Sequence, residues 1–332
     1  MSTLETNNIS KYNGNNVSMG DALKLKSYTT TQRDALTSVA GDMIYNSTDN
    51  EPNYYNGSEW KTFATPSFSV SYLIIAGGGG GGSRYAGGGG AGGYRNSYAS
   101  ETSGRGGSTE TPLTIFKDNS TEYVVTVGAG GSTGAAFKGN DSVFNIITSS
   151  GGGSGNASKD GGCGAGGSAN TIGPSAGSGT TGQGYDGGSG SATNYASAGG
   201  GGTGAVGTDS TSGNASGNGG AGTSSSITGA AVTRGGGGGG GNYSYPSSNG
   251  TGGTGGGGDG RAAGTANTGG GGGASYQGYG SAGGSGVVIL RWTTADATIG
   301  ATRTGLTDGG VQTDGSDSYI VFTAGTGNIK FS

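Results

Sequence analysis

Phe68-Ser69-Val70-Ser71-Tyr72-Leu73-Ile74-Ile75-Ala76, followed without a break by the six glycines Gly77 to Gly82, decides how this chain is read. It opens with apolar and polar residues in alternation, as a half-buried strand does, and ends in a continuous apolar run, as a strand does on entering a buried layer. The strand then passes directly into glycine. Glycine loses more conformational freedom on folding than any other residue, so it weakens helix and strand interiors alike. A run of it beside a buried strand calls for a backbone geometry that requires glycine, or else for a flexible linker.

Working outward, the same question recurs along the chain. Glycine makes up 86 of 332 residues, and the longest run spans Gly235 to Gly241. Clusters begin at Gly199, Gly217, Gly235, Gly252 and Gly269, and a near-constant interval of this kind suggests a folded array with one rod per cluster. Collagen is excluded, because glycine does not recur at every third position and there are five prolines. Polyproline II helices have three residues per turn and no internal hydrogen bonds, so their N–H and C=O groups point outward. Packed side by side, such helices bond to one another, and the close approach leaves room only for glycine. Ordering a residue costs roughly 1–2 kcal/mol and one hydrogen bond returns roughly 1 kcal/mol, so a lone glycine helix would not hold but a clamped bundle would. The expected fold is therefore mostly β with a glycine-rich polyproline II bundle, little α-helix and an elongated, fibre-like form.

Four regions separate by composition: a polar, Asn-rich segment (1–25), a small module (26–64), the glycine-rich region (65–293) and a β-patterned tail (294–332). In the module, Thr29 and Gln32 have the spacing of a capping box, Asp42 to Asn46 reads as a strand, and Asn56-Gly57 suits a type I′ hairpin turn. Further strands are expected at Pro112–Phe116 and Glu122–Val127, joined as a hairpin through Lys117 to Ser120, and at Ser142–Ile147 and Gly286–Trp292.

Composition also excludes chemistry. There is no histidine and one cysteine, Cys163, which removes intrachain disulfides, most zinc sites and Ser–His or Cys–His catalysis. Cys163 is expected to be a small buried hydrophobe, with an intersubunit disulfide as a minor alternative. The 16 Lys and Arg are scattered and outnumbered by 20 acids, giving no electrostatic case for nucleic acid. No stretch approaches the roughly 18 apolar residues of a membrane span, and Met1 to Glu5 lacks the character of a cleaved secretory leader. Phosphate loops need a Lys-Ser/Thr after the last glycine, which is missing here. No enzyme activity and no cofactor are expected. Asp308, Asp314 and Asp317 have a spacing that suits calcium, but Asp308-Gly309 and Asp314-Gly315 read more simply as turns, so no metal is assigned.

The order of Ser71–Ala76 and its glycines, Thr126–Gly131, Ser142–Phe144 and Gly283–Trp292, with Thr30–Leu36, Met43–Asn46 and Tyr55–Trp60 before them, resembles the glycine-rich tail fibres and adhesins of tailed bacteriophages, notably marine ones. The resemblance covers about residues 1–293. It implies a structural virion protein that binds host surfaces, with stacked polyproline II helices and receptor contacts made by the connecting loops. It also implies partners: a trimer or filament of like chains, other fibre or baseplate proteins, and a host glycan or outer-membrane protein.

Tyrosine supplies rigid, amphipathic contact area and stacks on sugar faces. The tyrosines of the polar stretches are therefore the candidate receptor contacts: Tyr94, Tyr98, Tyr185, Tyr195, Tyr243, Tyr245, Tyr276 and Tyr279, with Tyr85 among the same group. Tyr243 and Tyr245 lead, beside Pro246. The competing reading has these rings covering exposed backbone at rod ends. In the tail, Ser318–Phe322 and Asn328–Phe331 are expected to close a trimer or to pair with the next subunit. Two alternatives to an attachment fibre are a self-assembling extracellular filament with no receptor role, and an ice-binding protein.

Overall fold

A computed structural model describes residues 24–63, 66–118, 120–133, 137–156, 158–169, 174–191, 195–211, 215–242, 249–276 and 278–332. The chain forms two units, Met1–Thr65 and Pro66–Ser332. Strands dominate the regular structure, and helix amounts to five residues and one 3-10 turn among the described residues.

In the first unit, β1 (Ser27–Tyr28), β2 (Met43–Asn46), β3 (Glu51–Tyr55) and β4 (Trp60–Thr62) form a sheet in the order β1-β2-β3-β4. The helix α1 (Thr30–Asp34) begins with the expected capping box. The Thr29 hydroxyl accepts from the Gln32 N–H, and the Gln32 side chain accepts from the Thr29 N–H. The β3–β4 hairpin forms, but with four loop residues, Asn56 to Glu59, instead of a two-residue type I′ turn. Asn56 Oδ1 accepts from the N–H groups of Ser58 and Glu59, each at 2.9 Å. This side-chain turn captures the donors, so positive φ is needed at Gly57 alone.

The second unit is organised by nine strands: β5 (Ser67–Ile75), β6 (Tyr94–Asn96), β7 (Leu113–Phe116), β8 (Tyr123–Val127), β9 (Ser142–Phe144), β10 (Ile147–Ser149), β13 (Val287–Thr293), β14 (Leu306–Asp314) and β15 (Asp317–Ile329). Their order is β10-β9-β8-β15-β13-β5-β6, with β7 on β5 and β14 on β15. A separate hairpin joins β11 (Thr223–Ser225) to β12 (Val232–Arg234). The opening stretch behaves as its pattern demands. Phe68, Val70, Tyr72 and Ile74 of β5 enter one core with Val288, Leu290 and Trp292. Leu73 and Ile75 enter a second core on the opposite face, with Tyr94, Ile227, Val287 and Ile289. The apolar run is continuous where both faces of the strand are covered.

Several expectations are corrected. β7 and β8 do not form a hairpin: β7 pairs with β5, and β8 with β9 and β15. Both contribute to the same core, Ile115 from β7 and Tyr123 and Val125 from β8. Ser142–Ile147 is not one strand; it turns at Asn145 (φ +52°) and Ile146 into β10. Residues 294–332 are not set apart. β15 lies between β13 and β8, and Ile320, Phe322, Ile329 and Phe331 are core residues. The Phe331 ring packs edge-on against Phe68 and Trp292, with centroids 5.1 and 5.5 Å away. Ser318–Phe322 is therefore paired within its own chain on both edges, by β13 and β14, and presents no free strand edge to another subunit.

The glycine segments lie outside the strands and bond to one another in a regular way. Gly77 and Gly80 donate to Asn140 and Phe137, Gly78 and Gly81 to Gly284 and Ser281, and Gly79 and Gly82 to Gly90 and Gly87. Each N–H points to a different neighbour, and the direction returns every third residue while the partner number falls by three. Each of the three neighbours thus runs antiparallel to Gly77–Gly82. The later clusters are linked likewise: Gly237 and Gly240 donate to Gly220 and Gly217, and Gly258 to Gly271. The spacing is tight enough that a Cβ on Gly79 would overlap the carbonyl oxygen of Gly153.

Candidate functional site

Glycine segments of this kind must turn, and one set of turns brings aromatic residues together. The Gly82 N–H donates to the Gly87 carbonyl at 2.9 Å and closes a loop over Ser83, Arg84, Tyr85 and Ala86. Arg84 and Tyr85 both take positive φ, +44° and +66°. Side chains with a Cβ adopt this region at a cost, and successive examples are uncommon. Ser83 forms a parallel bridge with Ser275, whose N–H donates to Gly82, and the Ser83 hydroxyl accepts from the Gly280 N–H at 3.1 Å. On the adjoining segments Ala196 bridges Asn242.

These contacts converge three rings. Tyr85 meets Tyr276 edge-on at 4.8 Å between centroids and Tyr195 at 5.8 Å, and Tyr195 meets Tyr276 at 6.3 Å. The Tyr85 and Tyr276 hydroxyls share a 3.0 Å hydrogen bond. Tyr195 is 47% exposed, and Tyr279, three residues beyond Tyr276, is 77% exposed. Aromatic pairs in such geometries contribute about 0.5–1.5 kcal/mol beyond their burial, so the platform is preorganised.

The other candidates are placed elsewhere. Tyr94 is fully buried in the second core, where burial pushes its phenol above the ordinary range, so it is a core residue and not a surface contact. Tyr98 is half-buried against that core, with the Arg291 guanidinium 5.2 Å from its ring centre. Tyr185 lies under Arg105 at 5.8 Å, and Arg105 is held in turn by Asp186 at 2.8 Å. Tyr243 and Tyr245 lie outside the described residues. Sequence therefore supplied the members of the cluster without its grouping, because nothing local says that residues 85, 195 and 276 turn at one place.

The tail aspartates have a role that sequence reasoning missed. Arg291, 6% exposed, donates from Nε to Asp317 and from Nη2 to Asp314, each at 2.9 Å, and from Nη1 to the Ile227 carbonyl at 3.0 Å. Asp308 takes Arg303 in a two-pronged pair at 2.8 and 3.0 Å. The signal was present in Val287-Val288-Ile289-Leu290-Arg291-Trp292, since an arginine inside an apolar strand demands carboxylates. Cys163 is fully buried, its thiol pushed up by burial, which does not fit an intersubunit disulfide. Among the described residues no group of three or more His, Cys, Asp or Glu could hold a metal ion, and no helix is long and apolar enough to cross a membrane.

In comparisons with known proteins, a family model described as a glycine-rich domain matches residues 56–293. No curated protein matches the chain, and no solved structure does.

Proposed function

Since this chain belongs to the glycine-rich domain family, we propose that it is a fibre subunit of a tailed-bacteriophage virion that attaches the particle to a host cell surface. In this reading the glycine segments are polyproline II helices bundled into a stiff support. The reading is favoured by the hydrogen-bond direction that returns every third residue along Gly77–Gly82, the period of a helix with three residues per turn. The observation that carries the attachment role is the tyrosine cluster of Tyr85, Tyr195 and Tyr276, with exposed Tyr279 beside it, mounted on turns of that support. Rigid aromatic surface loses little entropy on binding and fits the apolar face of a sugar or a protein loop, so the partner is a host glycan or outer-membrane protein. The subunit works as a homo-oligomer joined to other fibre or baseplate proteins. Filament growth by strand addition at β14 is less favoured. Among the described strands β14 offers an outer edge, and its ladder is broken by register shifts around Asp308 and Val311.

The test is binding of the fluorescently labelled full chain to a panel of marine bacterial cells. The expected result is retention on a subset of strains, falling at least about tenfold for Tyr195→Ala combined with Tyr279→Ala, as loss of aromatic anchors does. Binding that survives both substitutions overturns the assignment.

A further inference from the structure

We propose that the tyrosine cluster takes an acidic glycan, with Arg84 binding the carboxylate of a uronic acid while Tyr195 stacks on the sugar ring. The inference rests on the attachment role of the cluster and names the chemistry of what it attaches to.

Arg84 precedes Tyr85 in the loop closed by the Gly82–Gly87 hydrogen bond, so its side chain starts one residue from a ring of the cluster. It is exposed. The positive φ at both residues fixes cation and ring side by side on costly backbone. Of the eight arginines in the chain, Arg33, Arg95, Arg105, Arg291 and Arg303 are paired with carboxylates at 2.7 to 2.9 Å. Among the described residues Arg84 has no such partner.

Its surroundings are poor in negative charge. The Ser83 N–H donates to Asn156 Oδ1 at 3.2 Å, the Ala169 N–H to the Tyr85 carbonyl, and the Asn242 N–H to Asn249 Oδ1 at 3.0 Å beside Ala196. The stretches of sequence around these residues and around Tyr195 and Tyr276, namely 154–158, 168–173, 192–197, 242–249 and 274–281, contain no Asp, Glu, Lys or Arg, in a chain with 20 acids. At the border, Asp160 and Asp259 accept from the N–H groups of Ser178 and Gly252 at 2.6 and 2.8 Å, and Lys159 donates to the Ser175 carbonyl at 2.9 Å. The Arg261 N–H donates to the Ala274 carbonyl at 2.9 Å, which sets a second arginine next to the segment of Tyr276. A neutral sugar would stack on the rings and leave Arg84 unused. A carboxylate on the sugar matches the planar guanidinium with two parallel N–H···O bonds. The serine, asparagine and tyrosine groups around the rings donate to and accept from sugar hydroxyls, which suits a hydroxyl-rich ring better than the apolar anchors of a protein loop.

The experiment passes the full chain over immobilised polygalacturonate and over the same polymer fully methyl-esterified, which keeps the sugar ring and removes the charge. Wild type is expected to be retained at least about tenfold more strongly by the acid, as a charge-assisted pair requires. Arg84→Gln should bring retention on the acid down to that on the ester and leave the ester unchanged, which also shows that the variant is folded. Arg84→Lys should recover part of the difference, since it keeps the charge without the fork. Tyr195→Ala should weaken retention on both polymers. Equal retention of wild type on acid and ester, or an Arg84→Gln variant that still prefers the acid, overturns the inference. If neither polymer retains the wild type while bacteria still bind it through Tyr195 and Tyr279, the acidic glycan is overturned and the attachment reading stands, with a protein as the partner. Bacterial binding that ignores those tyrosines overturns the attachment reading itself.

Discussion

The hydroxyls of Tyr85 and Tyr276 lie 3.0 Å apart although 191 positions separate them in sequence. The bond fixes two rings at the turns of the glycine segments and leaves Tyr195 and Tyr279 exposed beside them. Tyr279→Ala should therefore change stability by less than about 0.5 kcal/mol, as exposed substitutions do. Tyr94→Ala, in the second core, should cost about 3–5 kcal/mol, as large aromatic truncations do. Urea unfolding of the two variants checks the contrast; equal effects would mean that the tyrosines are misplaced.

Gly79 has no space for a side chain, since a Cβ there meets the Gly153 carbonyl. Gly79→Ala should lose about 3 kcal/mol, the upper end of overpacking costs. Gly300→Ala, whose Cβ would lie 3.7 Å from the Lys330 oxygen, should stay within about 0.5 kcal/mol. Thermal unfolding of both variants separates glycine required by contact from glycine that is merely abundant.

Arg291 is a buried cation gripped by Asp314 and Asp317. Replacing both aspartates by asparagine strands the charge and should cost about 3 kcal/mol, the low end for a broken buried pair because both carboxylates are partly solvated. Arg291→Met removes the charge as well and should cost less. A Met variant as unstable as the double asparagine variant would show that the arginine's own hydrogen bonds, not its stranding, dominate.

The Arg303 guanidinium holds the Asp308 carboxyl below its ordinary range, and the Gly310 N–H adds to this against an opposing effect of burial. A depressed folded value means stability that is present above the unfolded pKa of about 3.9 and is lost as pH falls through the folded one. Asp308→Asn should therefore be less stable than wild type at neutral pH, with the gap closing in acid. Denaturant midpoints measured across that range would show it; a gap that widens in acid would contradict the pairing.

Burial pushes the Cys163 thiol up, which keeps it protonated and inaccessible. Iodoacetamide should leave the native chain unmodified and alkylate it only in denaturant. Rapid labelling of the native protein, read by mass spectrometry, would place the thiol at a surface.

Much was legible locally. The capping box of Thr29 and Gln32, the strand of Met43–Asn46 and the double-sided burial at Leu73–Ile75 all follow from spacing within a few residues. Partner choice was not. Lys117–Ser120 has the length of a hairpin loop, yet β7 pairs with β5 and β8 with β15, partners that lie far away in sequence and that no local spacing specifies. Asp314 and Asp317 read as turn residues and sit at the strand ends that flank the turn at Gly315 and Ser316, but their hold on Arg291 depends on β13 and β15 meeting in register.

The sequence by itself determined that this chain would be built of short strands and glycine segments, with no catalytic histidine chemistry, because those conclusions depend on residue type and near-neighbour spacing. The tertiary structure alone decided that the C-terminal strands complete the central sheet and that three distant tyrosines share one set of turns. Hydrogen bonds between glycine segments carry no side-chain code, so their neighbours are chosen by what the whole fold can bury and satisfy at once.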